Sequence, residues 1–250
     1  MIDFHAHILP GLDDGIQTME EAEEVLKEAK EAGVKKIICT THYSNYYAEN
    51  EETRKNKLKE LQEKVDGIEL ILGNEVYART NIDKIFGIGE ASTLNNSKYV
   101  LYEMPLHKEY PKYQNLVIDL ISAGYKPVLA HPERYSIIQE SPKKIEELLD
   151  LGVYLQSNFM SIEGLYGSKC KKTVELLLRH NMISFLGTDV HSTGDFYPHI
   201  KNASKKIIKI IGEDNFNKLT NINPELVCAD EDVEIPEWYT IEKGILGSYK

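Results

Sequence analysis

Hydrophobic positions along the chain fall into a repeated two-part pattern: an amphipathic stretch with apolar residues three or four apart, a cap residue, then a short apolar run. The first copy opens on the capping box Thr18-Met19-Glu20-Glu21 and places Ala22, Val25, Leu26 and Ala29 on one helical face. It stops at Gly33 and continues as a strand from Val34 to Thr40. The unit recurs as Leu116 to Ala123, Gly124, then Pro127 to Ala130; as Ile145 to Leu151, Gly152, then Val153 to Leu155; and as Val174 to His180, Asn181, then Ile183 to Leu186. Helices alternating with wholly apolar strands predict a parallel sheet covered by helices on its outer face.

The expected architecture is therefore an α/β barrel. Its strands are read at Ile2 to Phe4, Ile37 to Thr41, Leu70 to Gly73, Tyr99 to Tyr102, Val128 to Ala130 and Phe185 to Gly187. Parallel strands end on one face, where loops build the active site. The residues next in sequence are His5 and His7, His42, Glu75, Glu103, His131, and Asp189 with His191. Five of the eight histidines belong to this set. The polar and aromatic stretch from Tyr43 to Glu52 is expected as a mobile loop at the mouth.

Residues two apart on a strand point to one side, so His5 and His7 can grip one ion, and Asp189 and His191 repeat the spacing. Asp13-Asp14-Gly15 reads as a turn, or as a turn that brings a carboxylate to the site. Glu75 ends an apolar run, where a carboxylate is costly unless paired or metal-bound, and is expected to bridge ions. Glu103 follows another apolar run, with Lys108 as an alternative ion-pair partner.

Composition narrows the choices. The 250 residues are 42% hydrophobic, enough for one core, and are read as a single domain with residues 228–250 as a C-terminal extension. The Met1 start leaves no room for a signal peptide, and no apolar run approaches the roughly 18 residues of a membrane helix, so a cytoplasmic protein without membrane insertion is expected. A net charge of −11 argues against a nucleic-acid partner. The acidic Ala229 to Glu237 segment is expected as a solvated tail or an edge extension. Cys39, Cys170 and Cys228 form no C-x-x-C, and the residues six beyond them are Asn45, Leu176 and Glu234. No Cys-x5-Arg nucleophile exists, nor a Gly-rich phosphate loop or Gly-x-Ser-x-Gly elbow.

The motifs His5-Ala6-His7 through Asp13-Asp14-Gly15, Thr41-His42, Gly73-Asn74-Glu75, His131-Pro132-Glu133-Arg134-Tyr135, Asp189-Val190-His191 and Asn223-Pro224 follow in order over residues 1 to about 227. Together they resemble the PHP (polymerase and histidinol phosphatase) superfamily, and most closely its bacterial tyrosine-protein phosphatases of capsule and exopolysaccharide regulation. The resemblance implies a distorted (β/α)7 barrel with three divalent ions, most often manganese, with iron or zinc also acceptable to this donor set. One ion would be held by His5, His7, Glu75 and Asp189; a second by Glu75, Glu103 and His131; a third by Asp14, His42 and His191.

It also implies a phosphomonoesterase that hydrolyses phosphotyrosine with a metal-bound hydroxide, on a partner such as the C-terminal tail of a bacterial tyrosine kinase. Arg134, Glu75 and His42 are the residues expected to carry catalysis, Arg134 by charge-assisted bonds to the phosphoryl group. An ion pair of Arg134 with Glu133 or Glu140 is the plainer alternative. Relatives often carry an arginine shortly after the last histidine, whereas Ser192 to Phe196 contains none. Tyr43, Tyr46, Tyr47 and Tyr135 are read as an aromatic rim for a phosphotyrosine ring. A small-molecule phosphatase of the histidinol-phosphate type, a regulatory protein that binds a kinase tail, and an oligomeric assembly stay open.

Overall fold

The computed structural model describes residues 1–108, 113–243 and 249. Seven parallel strands pair in sequence order: β1 (Ile2–Ala6), β2 (Lys36–Tyr43), β3 (Glu69–Tyr77), β4 (Tyr99–Glu103), β5 (Lys126–Ala130), β6 (Tyr154–Asn158) and β7 (Phe185–Gly187). Beyond β7 the chain turns back on β1: Asp189 donates its backbone N–H to the His5 carbonyl at 2.7 Å, and His7 donates to Val190 at 3.1 Å. The sheet is thus a nearly closed barrel, the architecture the apolar pattern predicts.

Helices cover it, among them α1 (Met19–Glu31), α2 (Glu51–Gln62), α3 (Ile82–Gly87), α4 (Tyr113–Ser122), α5 (Ser136–Glu140), α6 (Lys144–Asp150), α7 (Phe159–Glu163), α8 (Ser168–Arg179), α9 (Tyr197–Asn217) and α10 (Asn223–Cys228). The capping box forms as expected, with Thr18 and Glu21 satisfying each other's backbone N–H, an arrangement that stabilises a helix start by about 1 kcal/mol. All four cap residues read from the sequence, Gly33, Gly124, Gly152 and Asn181, have positive φ. This backbone turns each helix into the next strand.

Alternation along the strands divides the core. Phe4, Ile38, Ile71, Leu101, Val128 and Phe185 pack inside the barrel, where Phe4 and Phe185 stack at 4.0 Å, while Ile37, Cys39, Val100, Leu129 and Leu155 face the helices. Pairing of β1 with β2 slips between Asp3 and Ala6. Such an irregularity lets Phe4 fill the interior while the next residue, His5, still turns toward the site.

Three expectations change. β2, β3 and β6 run further than the apolar runs suggested, so His42 and Glu75 lie within strands rather than beyond them. The loop read as Tyr43 to Glu52 is shorter, because β2 includes Tyr43 and α2 begins at Glu51. The acidic segment is not a free tail: Lys98 and Lys126 hold Asp232 at 2.7 and 2.8 Å, the hydroxyls of Tyr99 and Tyr154 bond the backbone of Glu231 and Val233, and Val233 is buried. It straps the end of the barrel from which β4 and β5 start.

Candidate metal centre

At the opposite end, His5 Nε2 and His7 Nε2 face each other at 2.9 Å, with Glu75 Oε2 3.2 and 3.3 Å away and Asp189 Oδ1 3.5 and 3.4 Å away. All four side chains are buried, and their donor atoms lie within 4.8 Å of one another. The pairing of Asp189 with His191 has a different origin from the one the spacing suggested. Asp189 lies past the end of β7 with φ of 56°, so it is a left-handed residue, not a shared strand, that turns its carboxylate inward.

Two further sets adjoin the first: His7, His42 and His191, and His42, Glu75 and Glu103. His42 Nδ1 lies 3.1 Å from Glu75 Oε2 and 3.4 Å from Glu103 Oε1, while its Nε2 faces Asp14 at 3.5 Å. His131 Nε2 takes the other Glu75 oxygen at 2.8 Å, and Asp14 also lies 3.8 Å from His191 Nε2. Every metal-type residue singled out in the sequence is thus in one cleft of about 410 Å³ or its floor, a size within the usual range of small-molecule sites. Glu103 faces His42 rather than Lys108.

Arg134 lines the cleft but pairs with neither Glu133 nor Glu140. Its Nη1 donates to Asp189 Oδ2 at 2.6 Å, and the guanidinium lies over the Tyr166 ring, 4.6 Å from its centre. Glu133 is instead fully buried, accepting from Ser157 and Ser161 hydroxyls and the Asn158 N–H.

The outer partners of the imidazoles escaped the sequence reading. Asp13 Oδ2 lies 2.8 Å from His7 Nδ1 and accepts the His42 N–H at 2.8 Å; Gln156 Oε1 lies 2.9 Å from His5 Nδ1; Asn158 donates to Asp189 Oδ2 at 2.7 Å. Asp3 accepts from Thr188 and the Tyr197 hydroxyl, fixing the loop that carries Asp189. Asp-Asp-Gly is therefore more than a turn, and a Cβ on Gly15 would collide with His7. Gln156 and Asn158 alternate along β6, a signal available once that strand is extended to residue 158.

Charge in the cleft is finely divided. Burial disfavours the Glu75 carboxylate, but His5, His42 and His131 outweigh it and hold the group well below the usual range; His5, His7 and His131 do the same for Asp189. Burial next to Glu75 and Asp189 pushes Glu103 up to about 9. His42 is lowered to about 4 by burial, whereas for His5 and His7 the neighbouring carboxylates overcome burial and raise both.

The proposed rim is only partly present. Tyr135 is buried and its hydroxyl bonds the Ala130 carbonyl, and Tyr43 is buried with its hydroxyl on Glu90. Tyr46 is 92% exposed, and Tyr47 stacks near His42 with ring centres 6.1 Å apart.

Divalent ions fit this donor set. Glu75 Oε2 and His131 Nδ1 are buried without hydrogen-bond partners, which is costly for polar atoms unless another group satisfies them. The Nε2 atoms of His5 and His7 converge while their Nδ1 atoms are held from behind, the arrangement that orients metal-ligating histidine.

Several known proteins resemble this chain over most of its length. The tyrosine-protein phosphatase CpsB of Streptococcus pneumoniae is 29% identical over 241 residues, covering 92% of this chain and 99% of that protein. The tyrosine-protein phosphatase YwqE of Bacillus subtilis (strain 168) is 30% identical over 239 residues, covering 93% of each. A crystal structure from the pair described as YwqE from Bacillus subtilis and CpsB from Streptococcus pneumoniae, metal-dependent tyrosine phosphatases, superposes with a TM-score of 0.88 at 28% identity over 97% of this chain and 100% of that one. A family model described as capsular polysaccharide synthesis, CpsB/CapC, matches residues 1–229, and the chain belongs to that family.

Proposed function

We propose that the protein is a metal-dependent protein-tyrosine phosphatase. The observation that carries this reading is the convergence of His5, His7, Glu75 and Asp189 within 4.8 Å, beside a cleft shared with Arg134. We assign His5, His7, Glu75 and Asp189 to one ion, Glu75, Glu103 and His131 to a second, and Asp14, His42 and His191 to a third, with manganese the expected metal. Bound at these residues, divalent ions would supply polarisation of a phosphoryl oxygen and a water of pKa lowered toward about 7.

The chain's own groups do the rest. Asp13 and Gln156 fix the rings of His7 and His5, so their Nε2 atoms need no reorganisation to ligate. Arg134 is anchored by one nitrogen to Asp189, and its remaining N–H groups can meet phosphoryl oxygens. A phenolate leaves readily, so a cleft with no dedicated acid assigned among the described residues favours an aryl over an alkyl ester. We place the substrate on the phosphorylated tail of a capsule or exopolysaccharide tyrosine kinase, met in the cytoplasm, and read residues 1–250 as one domain. No helix among the described residues is long and apolar enough to cross a membrane.

The test compares turnover of a phosphotyrosine peptide, a phosphoserine peptide and histidinol phosphate by protein loaded with manganese. Preferred cleavage of the phosphotyrosine peptide is expected; histidinol phosphate as the best substrate, or binding of the tail without turnover, overturns the assignment.

A further inference from the structure

Beside the cleft lies a second hollow of about 390 Å³, which shares Asp14, His42 and Glu103 with it and continues past Asn45, Tyr46 and Tyr47 to Tyr77 and Arg79. Arg79 is the one arginine or lysine lining this hollow. Its Nη1 donates to the neutral Asn45 Oδ1 at 3.2 Å, and among the described residues no carboxylate lies within ion-pair range of it. In a chain of net charge −11 this guanidinium stands next to the reacting centre with no ion-pair partner among the described residues.

We propose that this hollow is a substrate subsite in which Arg79 recognises an acidic side chain flanking the phosphotyrosine. The inference rests on the phosphatase reading and narrows its substrate class. Arg79 is four residues past Glu75 and two beyond the end of β3 at Tyr77, so their backbones are less than about 13 Å apart; at about 3.3 Å per residue in an extended peptide, the guanidinium serves a residue within about three positions of the phosphotyrosine. Tyr46 and Tyr47 supply flat apolar walls for the intervening chain, and Tyr46 already stands free in solvent. Apart from Arg79, the imidazole of His42 and the tyrosine hydroxyls, the ionisable side chains along this path that would face an acidic peptide are the carboxylates of Asp14 and Glu103. The departure noted after His191 leaves Arg134 as the cation on the other side of the cleft, so the two arginines would set the direction in which a peptide lies.

The experiment measures kcat/KM of manganese-loaded protein on phosphotyrosine peptides carrying Glu, Gln or Lys in turn at each of the three positions on either side. Wild type should favour Glu over Gln at one or two positions, mainly through KM, by about three- to five-fold, the worth of a solvent-exposed ion pair. Arg79→Gln should bring that ratio close to one, and Arg79→Glu should turn the preference toward Lys. Ratios within one variant are unaffected by a change in its overall activity. A ratio near one at every position in wild type, or an acid preference that survives Arg79→Gln, overturns the subsite while leaving the phosphatase reading intact. No turnover of any peptide overturns both.

Discussion

His42 and Glu75 stand directly opposite each other on adjacent parallel strands, and the imidazole Nδ1 lies 3.1 Å from the carboxylate Oε2. An unbroken register from Lys36 opposite Glu69 to Tyr43 opposite Val76 maintains that pairing. Side chains alternate along a strand, so a slip of one residue would turn Glu75 toward the helices and remove the group that touches the imidazoles of His5, His7, His42 and His131. Sheet register thus fixes the His42–Glu75 half of the centre, while His7, Asp14, His131, Asp189 and His191 come from segments just beyond the strands.

Removing divalent ions should abolish phosphatase activity and lower the melting temperature. In the ion-free protein Glu75, Asp189 and Glu103 crowd one buried space, and ligand binding to the folded state alone stabilises by about 2.7 kcal/mol at a hundredfold excess over Kd. Calorimetry before and after chelation and manganese repletion checks this; an unchanged melting temperature would falsify metal binding at the site.

Asp13→Asn should weaken manganese binding or activity about 10- to 100-fold, the usual consequence of altering a partner behind a ligating histidine. Asn keeps the shape but loses the charge held against His7 at 2.8 Å. Metal-binding isotherms alongside kcat would reveal it. Wild-type values in both would show Asp13 to be a turn residue only.

Ion binding should release protons. In the metal-free protein Glu103, at about 9, is protonated at neutral pH, and His5 and His7 also hold protons above their ordinary range. Ligands must be deprotonated, so affinity should rise from about pH 6 to about pH 9. His42, near 4, is already neutral and contributes no proton. For folding without metal the sign is opposite: the native state binds more protons than the unfolded chain in this window, so stability should fall as pH rises. Metal titration in weak buffer should acidify the solution; proton uptake would contradict this account.

Gly187→Ala should lower stability by about 1–3 kcal/mol, as overpacking does. A Cβ there would sit 2.7 Å from the His5 Cβ and 2.8 Å from its backbone nitrogen, where β7 closes on β1. Because His5 would be displaced, metal affinity should drop as well. A melting temperature and a manganese isotherm both equal to wild type would show the barrel seam to be looser than described.

Truncating Arg134 should mainly lower kcat, by about 10²–10³ if the guanidinium meets charge developing on the phosphoryl group. Arg134→Lys keeps the charge but not the planar fork, and should recover only part of the loss. A change confined to KM would instead assign Arg134 to binding.

The sequence by itself determined the barrel and most of the cleft. Apolar runs separated by amphipathic stretches leave a parallel sheet little alternative, left-handed positions at Gly33, Gly124, Gly152 and Asn181 mark the turns into strands, and imidazole and carboxylate types recur where strands end. Tertiary structure alone decided what stands behind them. Asp13 against His7 and Gln156 against His5 join residues 6 and 151 positions apart, and no local periodicity encodes a hydrogen bond across the barrel. Arg134 on Asp189, the buried Tyr135 and the fastening of the acidic segment by Lys98 and Lys126 depend likewise on which side chains the closing sheet brings within reach. Pattern records which face of an element is buried; the partner met on that face is set by how the elements pack.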